Sequence, residues 1–395
     1  MNRSCLNAAR LSNDSKFKIA GLKFILFVGM LALFTGAFTQ NDTIAADTAL
    51  IKKRKLFISP VIGYTPETRW YFGGGAVFYL PPSKKYPDTN PSVVKVVFVY
   101  TQNKQIESNI AGDGYYRNND YRYNYSTSYY EFPAYFFGIG NYTSFDDKEK
   151  YDFDFFNIGL NGQKKIEDHF YAGLKTFFEY TKVDDVEPGG ILDTEEITGE
   201  SGGVNTGFGA WLTYDTRDNI YFPLNGIYID VSSVAHTTFL GSDFNYFEQT
   251  FEVSQFNKMF KDDALAFNFY SMLVPGEVPF NRLAKLGGEK YMRGNYEGRF
   301  RDNYYVTLQA EYRMTFWKYL GINLFTGIGE VAGHFNEFSL SGLKYSAGIG
   351  GRLFIVPEDK LSLRLDVAVG SPTNEEHFFG IKNEIGLYIT FREAF

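Results

Sequence analysis

Between Leu56 and Phe391 the chain keeps returning to one pattern: short segments in which every second residue is apolar, broken by turn residues, with no helix-period stretch of useful length. Successive side chains of a strand point to opposite faces, so each segment has an apolar face and a polar one. The clearest runs over 361–370, where Leu361, Leu363, Leu365, Val367 and Val369 alternate with Ser362, Arg364, Asp366 and Ala368. Tyr304, Val306, Leu308 and Ala310 alternate in the same way with Thr307, Gln309, Glu311 and Arg313. So do Leu265, Phe267 and Phe269 with Ala266, Asn268 and Tyr270. In Tyr151–Leu160 the apolar phase slips between Phe155 and Phe156, which predicts a β-bulge there.

About sixteen such segments lie in this span, most of them near the ~10 residues that a tilted membrane-spanning strand needs. Aromatic residues make up 18% of the chain, yet its mean hydropathy is −0.24. A barrel wants that balance, because its lipid face and rims are apolar or aromatic while its lumen is polar. A soluble β-sandwich also alternates, but with an aliphatic inner face and fewer strands for this length. No segment after residue 40 is long and apolar enough for a spanning helix. The expected fold is therefore all-β: a single transmembrane antiparallel β-barrel of about 16 strands over 56–395, with a re-entrant outer loop. Long connections fall at 139–150, 183–203, 273–302, 331–342 and 371–381, and short ones at 166–167, 216–225, 258–262, 315–319 and 355–360. With a periplasmic N-terminus the long set is external, as such barrels have it; 81–92 is the exception.

Residues 1–40 read as a secretory signal peptide. Arg3, Arg10, Lys16, Lys18 and Lys23 precede the apolar run 24–34, and Ala37 and Thr39 suit a cleavage site. An uncleaved anchor helix is the rival reading, but the run is short for a span. Residues 41–55 are then a short periplasmic segment. The one cysteine, Cys5, precedes the apolar run and so cannot be a lipoprotein's acylated first residue. Removing 1–40 takes away five basic residues and one acid, leaving 34 basic against 45 acidic and a net charge of −11. That balance excludes nucleic acid as an expected partner. The four histidines, His169, His236, His334 and His377, lie in no nucleophile motif, and metal-ligand spacing is absent. An enzyme and a cofactor are therefore not expected.

The stretch 286–303 is the most informative. It holds Gly287, Gly288, Gly294 and Gly298 with Arg293, Arg299 and Arg301. An exposed loop gains nothing from so many arginines, whereas one folded into an acidic lumen does, because buried arginine needs carboxylate partners. The order Leu286-Gly287-Gly288, then Met292-Arg293-Gly294, with five candidate strands after it, resembles the bacterial surface antigen superfamily, which holds BamA, TamA and the two-partner-secretion transporters. Asn295 stands where that family has an aromatic, and Tyr296 follows one place later. A second resemblance is Tyr214-Asp215-Thr216-Arg217-Asp218, then Pro223 and Gly226, at a periplasmic turn; it reads as a rigid hairpin connection. A third is Tyr135 to Asn141. The last strand, with Glu384, Gly386, Ile389 and Phe391, resembles the signal by which barrel-assembly machinery recognises its substrates, although Arg392-Glu393-Ala394-Phe395 follows it.

The resemblance implies that Arg293 is held inside the barrel by an acidic residue: Asp366 first, then Glu311 or Glu330. It also implies protein translocation or insertion at the outer membrane, in contact with its lipid. Relatives receive clients through periplasmic POTRA domains, and 41–55 is too short for one, so a separate periplasmic partner is expected. A structural or passive-pore barrel, its lumen plugged by the loop, is the alternative.

Overall fold

A computed structural model of the chain describes residues 54–65, 69–102, 104–373 and 382–395. The signal segment 1–40, nearly all of 41–55 and His377 lie outside the described residues. Sixteen strands form one antiparallel sheet in sequence order. They are β1 (Lys55–Thr65), β2 (Arg69–Leu80), β3 (Ser92–Thr101), β4 (Ile106–Tyr116), β5 (Tyr121–Phe136), β6 (Glu149–Glu167), β7 (Phe170–Asp184), β8 (Gly202–Asp215), β9 (Gly226–His236), β10 (Tyr246–Phe260) and β11 (Asp263–Leu273), followed after the long loop by β14 (Tyr304–Trp317), β15 (Leu320–Ala332), β16 (Lys344–Val356), β17 (Leu361–Pro372) and β18 (Asn383–Phe391). Inside that loop, β12 (Ala284–Lys285) and β13 (Arg301–Asp302) pair as a separate ribbon that closes its root. Most long loops gather at one end and most short turns at the other, with the long 81–91 on the short-turn side and the short 102–105 on the long-loop side.

The two faces sort as the alternation predicts. Phe267, Leu308, Leu365 and Val367 are exposed on the outside; Asn268, Gln309, Glu311, Arg313 and Asp366 are buried inside. Leu361 departs from its expected lipid-facing place. A register shift opposite it, between Phe354 and Val356, lets it join an apolar cluster with Val77, Tyr79, Val93, Tyr221 and Val356.

The bulge expected at Phe155 and Phe156 is not there. Strand β6 keeps one register with β5 throughout, and with β7 it shifts only between Lys165 and Glu167. The slipped phase has another cause. Tyr129, Phe156 and Tyr180 form an outward row across β5–β7, and the next outward row is Glu131, Asp154 and Lys182. Such charges are too costly for a hydrocarbon-facing wall, so the apolar outer band ends between the two rows. The strands continue beyond it, and there their inner face turns apolar. Tyr151, Phe153 and Phe155 follow one another at centroid separations of 5.7 and 6.2 Å, and Tyr151 packs with Phe136, Leu192 and Phe280.

Among the described residues no backbone pairing joins β1 to β18. At the short-turn end, Phe57 of β1 and Phe391 of β18 instead pack against the same apolar cluster.

Candidate functional site

The loop 274–303 folds back from β11 and lays its tip on the inner walls of β14–β18. Gly294 makes this possible. Its φ is 104°, and a Cβ there would come within 2.6 Å of the Val369 backbone. Met292 beside it packs over Gly327 and Gly329 of β15, and its N–H donates to Gln309 Oε1 at 3.0 Å. Arg293 is fully buried. Its Nη1 meets Asp366 Oδ2 at 2.5 Å, its Nη2 meets Glu311 Oε2 at 2.6 Å, and its guanidinium lies 3.5 Å from the Phe325 ring centroid. Two separate strands therefore hold one guanidinium, each by a charge-assisted bond.

Glu330 is not part of this arrangement. It alternates with Gly329 and Val331, which share the inward face, so it points the other way. It accepts from Asn141 Nδ2 and from the Ser339 N–H, both at 3.1 Å, and so ties together two loops at the long-loop end. Arg364 reaches Asp366 only at 3.5 Å and donates instead to the Glu289 carbonyl at 2.9 Å. The network grows through Arg313, 2.9 Å from Glu311, and Arg352, 2.6 Å from Asp366. Its third carboxylate is Glu393, beyond the last strand, at 2.7 Å from Arg352.

The remaining motif residues knit the loop to its surroundings. Asn295, where an aromatic was expected, is buried; its Nδ2 donates to the carbonyls of Met292 (3.2 Å) and Tyr345 (3.0 Å), and its Oδ1 accepts from the Ser371 N–H at 2.9 Å. Tyr296 packs 5.3 Å from Phe137, which joins the loop motif to the segment from Tyr135 to Asn141. Gly287 (φ 108°) lies against the Asn295 and Tyr296 carbonyls, and Gly288 against Glu297. On β18, Glu384 accepts from Arg299 Nη1 and the Tyr296 N–H, both at 2.5 Å, and the Tyr388 hydroxyl accepts from the Gly294 N–H at 2.9 Å. Gly386 leaves room for the Tyr388 ring, while Ile389 faces outward and Phe391 sits at the short-turn rim. At the root of the loop, Arg282 pairs with Glu248 on β10, the strand next to β11, and lies 4.6 Å from the Phe177 ring. Sequence reasoning missed Arg282 because it stands alone, without flanking glycines. Burial, aided by nearby Arg301, lowers the Lys285 ammonium to about 8.

A loop arginine clamped inside a sixteen-strand barrel, five sheet strands before its end, is what the sequence resemblance implies. The Omp85 superfamily domain model matches residues 99–388. This chain belongs to the Omp85 superfamily. Among solved structures, the Omp85 barrel is similar to BamA from Haemophilus ducreyi lacking POTRA domains 1–3, at 13% identity and a TM-score of 0.53, over 86% of this chain and 70% of that one. It is also similar to CdiB from Escherichia coli, at 10% identity and 0.54, over 86% and 67%. CdiB from Acinetobacter baumannii matches at 10% and 0.52, over 84% and 58%, so this chain spans under two thirds of that relative. No curated protein matches.

The turn 216–225 forms a second closure of the Omp85 barrel. Arg217 grips Asp215 with Nε at 2.9 Å and Nη2 at 2.8 Å, Arg122 pairs with the same carboxylate, and Arg217 lies 4.2 Å from the Tyr228 ring. Asp218 Oδ1 accepts from the N–H groups of Leu224 (3.0 Å) and Asn225 (3.2 Å), Pro223 is buried, and Gly226 has φ 116°. This is more than a hairpin connection. Asn219 Oδ1 accepts from the N–H groups of Tyr221 (2.8 Å) and Phe222 (2.9 Å), turning both rings across the mouth of the barrel. The Tyr221 hydroxyl reaches the Pro91 carbonyl at 2.7 Å, and Phe222 meets Phe354 edge-on at 5.2 Å. Burial pushes the Tyr221 phenol well above its ordinary range, against the opposing pull of Arg392.

Proposed function

We propose that this Omp85 barrel lies in the bacterial outer membrane with its short turns in the periplasm, placed there by barrel-assembly machinery. In this reading it translocates or inserts a protein, or another substrate, together with a separate periplasmic partner, and catalyses no reaction. The clamp on Arg293 carries the reading. Coulombic gain and desolvation nearly offset each other in buried ion pairs, so such a clamp holds geometry at little net stability and lets go when water enters. A loop fixed in this way to β14, β17 and β18 suits a lumen that opens and recloses. Depleting the protein and comparing outer-membrane and surface proteomes tests the proposal; unchanged proteomes would count decisively against it.

A second reading is a passive pore in which the loop only braces the wall. It draws on the half-exposed amides of Asn109, Asn124, Asn157 and Asn161, which line the inner face of β4–β6. Single-channel recording separates the two. A wide, constitutive conductance in the wild type favours the pore; a closed wild type that opens in Arg293→Ala favours the gated transporter.

A further inference from the structure

Residues 392–395 continue past β18 without extending it. They turn into the lumen across the short-turn end. The Arg392 N–H donates to the Ser362 carbonyl at 3.0 Å, and its guanidinium pairs with Asp113 of β4. The Glu393 carboxylate then accepts from Arg352 Nε at 2.7 and 2.9 Å, from Asn323 Nδ2 at 2.8 Å and from Ser362 Oγ at 3.0 Å. Two residues on, the Phe395 side chain is buried with Phe256, Ala266 and Tyr228 on the β9–β11 wall. Arg313 closes that seat, its guanidinium 5.2 Å from the Phe395 ring and its Nη2 donating to the Phe395 backbone oxygen at 2.7 Å.

A carboxylate seat and an aromatic seat, filled by side chains two residues apart, suit an extended peptide, whose alternate side chains share one face. The seats are built by six strands, β9, β10, β11, β14, β15 and β16, together with Ser362 of β17, and not by the tail's own strand. We propose that the short-turn end of the lumen is a peptide-binding groove, filled here by the chain's own tail, that accepts an extended protein segment carrying a carboxylate two residues before an aromatic ring.

The groove is wired to the clamp. Arg352 touches Glu393 on one side and Asp366, at 2.6 Å, on the other. Asn323 Nδ2 bridges Glu393 and Glu311, at 2.8 and 2.7 Å. Both carboxylates that hold Arg293 therefore share a partner with Glu393. When the tail leaves, Arg352 and Asn323 are free to reorganise around Asp366 and Glu311, and the outer loop loosens.

This inference goes beyond the transport reading and does not rest on it, because binding is measured with no transport step. The experiment uses a fluorescent peptide copying residues 392–395 and the purified barrel in detergent. The expected result is that a barrel truncated after Phe391 binds the peptide, that the peptide's Glu-to-Gln and Phe-to-Ala forms bind at least tenfold more weakly, and that the full-length barrel, already filled, binds none of them. Equal binding of all three peptides, or no binding to a folded truncated barrel, would overturn the proposal. Full-length Glu393→Gln and Phe395→Ala supply the same test should truncation prevent folding. Each weakens the tail's hold, so each is expected to take up the wild-type peptide and to speed protease cleavage within 286–300. A folded variant that does neither sinks the proposal.

Discussion

The barrel is obstructed twice, and the two obstructions are built from different chemistry. In the middle of the lumen Arg293 is fixed by directional charged bonds to Asp366 and Glu311. At the short-turn end Tyr221, Phe222, Phe354, Phe256 and Phe395 make a largely aromatic floor. Aromatic burial contributes stability roughly in proportion to area and is indifferent to direction. A charged clamp contributes little net stability but fixes where the loop sits. The difference assigns tasks: the floor keeps the mouth shut, and the clamp sets the register of a loop that has to be releasable.

Breaking the clamp is expected to have the largest effect. Arg293→Ala leaves two buried carboxylates short of a partner, a change that typically costs about 3–5 kcal/mol. Rapid cleavage of loop 286–300 by external protease is the expected readout, with Arg293→Lys in between because it loses the two-armed grip. Phe222→Ala comes next, at about 3 kcal/mol for an emptied aromatic site. It should raise basal conductance while leaving the loop protected; a cleaved loop in this variant would merge the two closures into one. The pH effect is smaller. Burial holds the Lys285 ammonium down to about 8 with the loop docked, against an ordinary 10.5, so the docked loop binds fewer protons than the free one between those limits. Docking therefore strengthens as pH rises through that window, by at most about tenfold per unit, and slower cleavage at pH 9.5 than at pH 7.5 is expected. Lys285→Met should abolish that dependence. The smallest effect is expected from Tyr388→Phe, about 1 kcal/mol for the lost acceptor of the Gly294 N–H, read as slightly faster cleavage.

The parts of the molecule that obey a period could be read in the sequence. Strand count, facing residues and the inward parity of Asp366 and Glu311 all follow from alternation, and a buried guanidinium needs carboxylates of that parity. Glu330 falls to the same rule, since it has the right charge on the wrong face. The phase slip in β6 misled because a local pattern cannot tell a bulge from a strand running past its apolar outer band, where the inner face stops meeting water and starts meeting loops. Glu393 and Arg282 were illegible for a different reason. Each acts from an aperiodic segment, and only the folded chain brings them to Arg352 and Glu248.

The height of the wall has one more consequence. Strand β6 runs for 19 residues and β18 for 9, a difference of 10 residues that at about 3.4 Å each makes one strand about 34 Å longer than the other. Among the described residues the wall is therefore tall at β5–β7 and low at β18. The low side carries the strand whose inner face grips the loop, through Glu384 and Tyr388.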